Sequence, residues 1–298
     1  MHAYPPSARA FELDLLATKI GPLKLVSRMN LSCKLDELKE RIAEKGQLLL
    51  AYSGGVDSSL LAFVSCQVLG NAALAVILKS EVLPKSELLQ AVALAKSLGL
   101  NCLVAEFPIL KEEHFRKNPA TRCYLCKKSS AALLKSIAAA EGISCIADGV
   151  NLSDYEDYRP GIAACDEEGI WHPFVDAKIN KVDIRALAKS LGLPVWNKPS
   201  SACLASRIAY GETITEGRLH MIEEAEEFIR GLGFRQERVR VQGRTARIEL
   251  LKQDMKHAID AGDEIVKALK AIGFDYVTLD LQGYRSGSMN EVLWTRER

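Results

Sequence analysis

The segment Ser53-Gly54-Gly55-Val56-Asp57-Ser58-Ser59 has the composition of an anion cradle. It separates two apolar runs, 48–52 and 60–64, in the order strand, tight turn, helix. Glycines let a backbone come close to a bound group because no Cβ intervenes. The first N–H groups of a helix lack internal partners and carry the positive end of its dipole, a combination that holds phosphate. Serine hydroxyls add donors, and Asp57 is placed to hold Mg²⁺ on phosphate oxygens. No lysine follows where the pattern GxxxxGK[ST] requires one, so the loop is of a different type. The plain alternative is a strand-to-helix turn that merely contains Gly and Ser.

Thiols are the second set. Cys123 and Cys126 form a CxxC within Thr121-Arg122-Cys123-Tyr124-Leu125-Cys126-Lys127, after an Asn118-Pro119 turn. A lone CxxC fits half a zinc site, a redox pair or part of an iron–sulfur site. No second CxxC or nearby His pair completes a zinc site. Cys203 lies among small residues in the stretch 197–207, where Lys198 and Arg207 favour the reactive thiolate over a merely packed thiol. Cys66, Cys102 and Cys145 sit in apolar runs and read as small core hydrophobes; Cys33 and Cys165 carry no readable signal. Arg235, Arg238, Arg240, Arg244 and Arg247 form a basic cluster. Arg238 and Arg240 share one face of a strand, and paired guanidiniums suit a phosphate monoester as readily as a solvated surface. Asp148-Gly149-Val150-Asn151, with Asp154, ends a core strand and is placed to line a nucleotide or substrate pocket; Gly149 is otherwise a turn glycine. Gly283 to Ser288 closes the last strand as a functional loop or a chain end.

These groups need elements to position them. Apolar spacing predicts helices over 35–45, 60–69, 84–98, 127–140 and 182–191, alternating with strands over 47–52, 72–78, 101–107 and 144–147. Alternation of this kind predicts a parallel sheet with right-handed crossovers, ligands binding at the strands' carboxyl ends. The pattern changes near Gly211. A helix over 216–231, strands over 234–241 and 246–251, a helix over 254–272 and a strand over 276–281 suggest a small α+β unit. The expected division is an N-terminal extension over 1–34, with Met29 a plausible start for the fold, a nucleotide-binding domain over 35–209, and a C-terminal substrate and oligomerisation domain over 210–298.

Composition sets the bounds. The 298 residues are 48% hydrophobic and 26% charged, ordinary for a globular protein with a core in each of two domains. A net charge of +1 argues against a chain built to coat nucleic acid or an anionic membrane. No apolar run reaches the length of a membrane span and no signal-peptide core is seen, so a cytoplasmic protein is expected. In that compartment the eight cysteines are not a disulfide framework.

Together these pieces resemble the LarE family, sulfur transferases of the PP-loop ATP pyrophosphatase superfamily that build the nickel-pincer nucleotide cofactor. The resemblance runs from about Leu35 to Glu291. It rests on 53–59, which matches the superfamily's SGGxDS loop, on 122–127, 148–151 and 181–185, and above all on 196–207 with Tyr210-Gly211. Ala209 stands where proline is more usual before Tyr-Gly. The resemblance implies a PP-loop α/β fold with helices on both faces of the sheet. It implies that ATP adenylates the carboxylate of pyridinium-3,5-biscarboxylic acid mononucleotide, releasing pyrophosphate, and that sulfur then displaces AMP. Two rounds give the bisthiocarboxylate. Ser53, Gly54, Gly55, Val56, Asp57, Ser58, Ser59 and Gly149 would bind ATP, Asp57 Mg²⁺, and Arg238 with Arg240 the substrate phosphate.

One branch of the family surrenders the sulfur of the cysteine matching Cys203. Another holds a [4Fe–4S] cluster on three cysteines, whose open iron carries an added sulfide. With Cys123, Cys126 and Cys203, this chain resembles the cluster branch. A sulfide donor and a homo-oligomer, hexamers among them, are implied as well. The rival readings are a PP-loop tRNA thiolase, an ammonia-using ligase of the NAD or GMP synthetase type, and a nucleotide-binding regulatory module without chemistry.

Overall fold

A computed structural model describes residues 22–156, 159–199, 202–285 and 287–290. Residues 1–21 of the expected extension, Ser200 and Ser201 beside Cys203, Ser286 in the last loop and the chain after Asn290 lie outside the described residues. No helix among the described residues is long and apolar enough to cross a membrane.

Four parallel strands form the first sheet: β1 (Leu48–Ala51), β2 (Ala73–Lys79), β3 (Asn101–Glu106) and β4 (Ile146–Ala147), in the order β3-β2-β1-β4. Each side chain along a strand faces opposite to the last, so Leu48 and Leu50 enter one core and Leu49 another. The first core packs β1 and β2 against α1 (Pro22–Lys45), α2 (Val56–Leu69), α3 (Lys85–Ser97) and α8 (Lys181–Ser190). On the opposite face Ala131, Leu134 and Ala138 of α5 (Arg122–Ala140) cover Leu49, Leu74 and Val76. Helices thus lie on both faces, as the alternating pattern predicts. The short α4 (Glu113–Arg116) precedes α5.

Two differences from the apolar spacing appear in this half. Helix α1 begins well before residue 35. The stretch between β4 and α8 also folds, into α6 (Pro160–Glu167) and α7 (Pro173–Asp176), each opened by a proline whose fixed φ suits a first helical turn. Both helices are too short to show a periodic apolar face.

The C-terminal part contains α9 (Glu216–Gly231), a hairpin of β5 (Glu237–Gln242) and β6 (Thr245–Leu250), and β7 (Tyr276–Leu279) parallel to β6. The single helix expected over 254–272 is two, α10 (Met255–Asp260) and α11 (Gly262–Ile272). The break falls at Ala261-Gly262, where glycine's poor helix propensity weakens continuity. The core of this part also takes in Val82, Phe107, Ile109, Leu110, Phe115, Leu204, Ala205 and Ile208. Residues following β2 and β3, and those following Cys203, are therefore packed together with the C-terminal sheet.

Candidate active site

The sheet order places the site. The chain leaves β1 for β2 on one side and later returns to β4 on the other. The loops after β1 and β4 diverge there, opening a crevice at the carboxyl ends of the strands. The loop after β1 is 53–59. Gly54 has φ +72°, and a Cβ on it would lie 2.6 Å from the Ala91 Cβ and 2.8 Å from its Cα. Glycine is required twice over there, by conformation and by contact with α3. Gly55 caps α2 in an extended conformation without a side-chain cap, leaving the helix N-terminus open to an anion. Ser58 anchors the turn: its Oγ accepts from the Ser53 N–H (3.2 Å), donates to the Gly55 carbonyl (3.2 Å) and lies 3.1 Å from Ser53 Oγ.

The loop after β4 leans on this one. A Cβ on Gly149 would meet Asp57 Cβ and Ser58 N at 3.0 Å, so Gly149 serves close approach rather than only a turn. Asp57 pairs one carboxylate oxygen with Lys181, while its buried Oδ1 has no hydrogen-bond partner. Asp148 Oδ1 accepts from the Val150 N–H (3.0 Å) and meets His172 Nδ1 at 2.7 Å; its Oδ2 is buried without a partner. His172 Nε2 reaches Asp166 at 3.1 Å. Burial works against the imidazolium, but Asp148 and then Asp166 more than offset it and hold His172 above its ordinary value. Burial likewise opposes charge on Asp148, yet His172 and Lys127 keep its carboxyl below the usual range.

Two cavities meet at these residues. One of about 610 Å³ is lined by Ser58, Asp148, Gly149 and Val150. The other, of about 350 Å³, is lined by Val82, Phe107, Cys126, Lys198 and Cys203. Ser53, Asp57, Lys127 and Lys181 line both. The structure thus brings the cradle and two of the predicted thiols to adjoining space. Cys123 opens α5 one turn from Cys126. Burial, then the nearness of Cys203, pushes the Cys126 thiol up to about 12 and raises Cys123 as well. No group of three metal-binding side chains among the described residues converges on a single-ion position.

Cys203 is exposed. The two cations expected to favour its thiolate have carboxylate partners of their own. Lys198 donates to Glu87 (2.7 Å), and Arg207 forms a bidentate pair with Glu226 (2.9 and 3.0 Å). Arg207 still holds the Cys203 segment, donating to the carbonyls of Ala202 (2.6 Å) and Cys203 (2.9 Å).

Arg238 and Arg240 are both nearly buried on one face of β5. Arg240 donates to the Ser206 carbonyl (2.9 Å), to Glu249 (2.9 Å) and to Ser288 (3.0 Å). Arg238 lies over the Tyr284 ring and donates to the Glu237 carbonyl (2.6 Å). Burial, then the neighbouring Arg207, lowers the Arg238 guanidinium's value. The residues not singled out as site groups from sequence are Lys127, Lys181, His172 and Asp166. Lys127 directly follows the CxxC, and that adjacency was the available signal; a lone His offers none.

An open parallel sheet with a glycine cradle at its switch point, and no P-loop lysine, defines a PP-loop nucleotide-binding protein. Residues 31–120 match the NAD synthase family model. The chain is 40% identical over 265 residues to an uncharacterized protein of Synechocystis sp., covering 88% of this chain and 99% of that one. It is 37% identical over 264 residues to the pyridinium-3,5-bisthiocarboxylic acid mononucleotide synthase of Lactiplantibacillus plantarum, covering 88% and 96%. An uncharacterized protein of Methanocaldococcus jannaschii is 34% identical over 256 residues, covering 85% and 98%. The chain belongs to the LarE family of ATP-using sulfurtransferases.

Proposed function

We propose that this protein inserts sulfur into pyridinium-3,5-biscarboxylic acid mononucleotide, giving its (bis)thiocarboxylate for the nickel-pincer cofactor. The observation that carries this reading is the junction of the cradle cavity and the thiol cavity at Ser53, Asp57, Lys127 and Lys181. A carboxylate oxygen is a poor leaving group. ATP bound at Ser53 to Ser59 and Gly149 converts it to an acyl-adenylate, from which AMP departs readily. The open α2 N-terminus and the serine hydroxyls stabilise charge on the leaving pyrophosphate. Mg²⁺ fits beside Asp57, whose buried Oδ1 lacks a partner, and would neutralise that same charge.

The donor set of Cys123, Cys126 and Cys203 fits a [4Fe–4S] cluster better than a single ion, because each cysteine of a cluster binds a different iron. When bound, the cluster would supply a renewable sulfide, delivered to the protein by a separate donor. Cys123 and Cys126 lie one turn apart on α5, and Cys126 lines the same cavity as Cys203. The phosphate of the mononucleotide is assigned to the Arg238 and Arg240 face. Arg240 supports this by bonding Ser206, in the same segment as Cys203. A cytoplasmic homo-oligomer completes the reading. Exposure of Cys203 favours a second route, in which its own sulfur is consumed.

Anaerobic purification tests the two routes. The cluster reading expects brown protein with about four irons per chain, lost in Cys123→Ala, and pyrophosphate release from ATP with the dicarboxylate. Colourless protein after reconstitution, with Cys203 converted to dehydroalanine on turnover, would show the sacrificial route. Tight, salt-sensitive binding of bulk tRNA would point to a tRNA thiolase instead.

A further inference from the structure

Three ammonium groups line the thiol cavity: Lys127, Lys181 and Lys198. Lys181 is paired with Asp57 and Lys198 with Glu87. The exposed side chain of Lys127 makes no hydrogen bond or ion pair among the described residues.

Its path is built into the fold. A Cβ on Gly161 of α6 would lie 2.9 Å from Lys127 Cγ and 3.8 Å from its Cβ. Glycine at 161 is therefore what admits the lysine stem between α5 and α6. The ammonium then faces the cradle cavity on one side and the cavity of Cys126 and Cys203 on the other. An anion that meets both phosphate and sulfur would come within reach of this cation at the junction of the two cavities.

We propose that Lys127 is a catalytic residue that holds the reacting carboxyl oxygen through both half-reactions. The inference rests on the function proposed above. In the first step a carboxylate oxygen bonds to the α-phosphorus of ATP, the bond from that phosphorus to its bridging oxygen breaks, and pyrophosphate leaves with the electron pair. Lys127 keeps the second carboxylate oxygen in place and turns the first toward the cradle. In the second step hydrosulfide bonds to the acyl carbon and the carbonyl electron pair moves onto that second oxygen. The Lys127 ammonium donates to this oxyanion. Collapse restores the carbonyl, expels AMP and leaves the thiocarboxylate and one proton. No electron is gained or lost by an external reagent.

Lys127→Gln and Lys127→Arg test this with free sulfide as the sulfur source. Three readouts are needed: ATP binding, pyrophosphate release with the dicarboxylate, and thiocarboxylate formed. Lys127→Gln is expected to fold and bind ATP within a few-fold of the parent. Pyrophosphate release should fall at least tenfold and thiocarboxylate formation about a hundredfold, the usual scale for an oxyanion donor. Lys127→Arg should recover part of both. Parent-like rates of both half-reactions in Lys127→Gln would overturn the inference while leaving the proposed function standing. Loss of ATP binding and of both steps together in Lys127→Gln would also overturn it, showing a phosphate-binding group instead. A parent protein that releases no pyrophosphate with the dicarboxylate overturns the function itself, and the inference with it.

Discussion

The crevice and the C-terminal sheet both gather basic side chains, and they treat the charge in opposite ways. Around the sheet, Arg207 is bound to Glu226, Arg230 to Glu237, and Arg240 and Arg247 to the fully buried Glu249. In the crevice Lys127 has no partner among the described residues, and Asp57 and Asp148 each keep a buried oxygen unbonded. A buried ion pair with its hydrogen bonds complete, as between Arg207 and Glu226, fixes geometry and adds little net stability while intact, whereas Arg240 and Arg247 each keep a buried Nε without a hydrogen bond. Buried polar atoms left open at a cavity call for a ligand or water. A run of arginines in sequence is thus weaker evidence for an anion site than one lysine left without a carboxylate.

Breaking the closed pairs should be the most destructive change. Arg207→Met removes a bidentate partner from Glu226, which is 3% exposed, and releases the carbonyls of Ala202 and Cys203. We expect a loss of about 3–5 kcal/mol in urea unfolding, because Glu226 is left as an uncompensated buried charge. The double variant Arg207→Met, Glu226→Leu should regain much of it. A single variant as stable as the parent would show that the arginine is not structural, and the contrast with the crevice would collapse.

The cradle is next. Gly54→Ala forces an L-residue to φ +72° and drives its Cβ into Ala91 backbone. Strain alone costs about 1–3 kcal/mol, and ATP-dependent pyrophosphate release should fall to background. Gly55→Ala, whose Cβ would meet only Ser53 Oγ at 3.4 Å, should retain measurable release. Equal activity in the two variants would mean that the loop is not held as described.

These two regions also differed in how much the sequence disclosed. The cradle is contiguous, and its glycines, serines and flanking apolar runs encode turn and helix locally. Continuous apolar runs likewise located β1 and β2, which are buried on both faces, and helical periodicity located α9, which buries one face. What escaped depends on partners far along the chain: Lys181 meets Asp57 across 124 residues and Lys198 meets Glu87 across 111. Arg238 and Arg240 were correctly read as sharing a face, but their burial and Arg240's bond to Glu249 follow from how β5 and β6 pair and pack. The pairing of His172 with Asp148 and Asp166 had no signal, since its three members come from separate turns and helices.

That triad gives a smaller, pH-dependent effect. His172 is raised in the folded protein, so the stability it contributes is complete below the ordinary histidine value of 6.5 and is lost as pH rises through its raised value. Asp148 is lowered, so its contribution is present above the ordinary value of 3.8 and is lost as pH falls through its lowered value. The advantage of the parent over His172→Asn in thermal or urea unfolding should therefore be largest in mildly acidic solution. It should shrink toward alkaline pH, by about the 1 kcal/mol of one hydrogen bond, since a neutral ring can donate to only one of its two carboxylates. An advantage that grows with rising pH would mean that the ring is neutral between them.

Lys198→Met should do least, and for that reason it is the sharpest control on the unpaired lysine. Lys198 and Glu87 are 2.7 Å apart, with side chains 19% and 20% exposed. A single part-buried pair of this kind contributes about 1 kcal/mol, and salt screens it in part. Lys198→Met should therefore melt close to the parent at high salt and slightly lower at low salt. Thiocarboxylate formation should stay within a few-fold of the parent, against the about hundredfold loss expected of Lys127→Gln. Both lysines line the same cavity, so loss of positive charge from its wall is common to the two variants. Lys198 has a carboxylate partner and lines the thiol cavity alone, whereas Lys127 has none and lines both cavities. If Lys198→Met proves as damaging as Lys127→Gln, general field strength in the cavity governs the chemistry, and the distinction between closed and open charges fails.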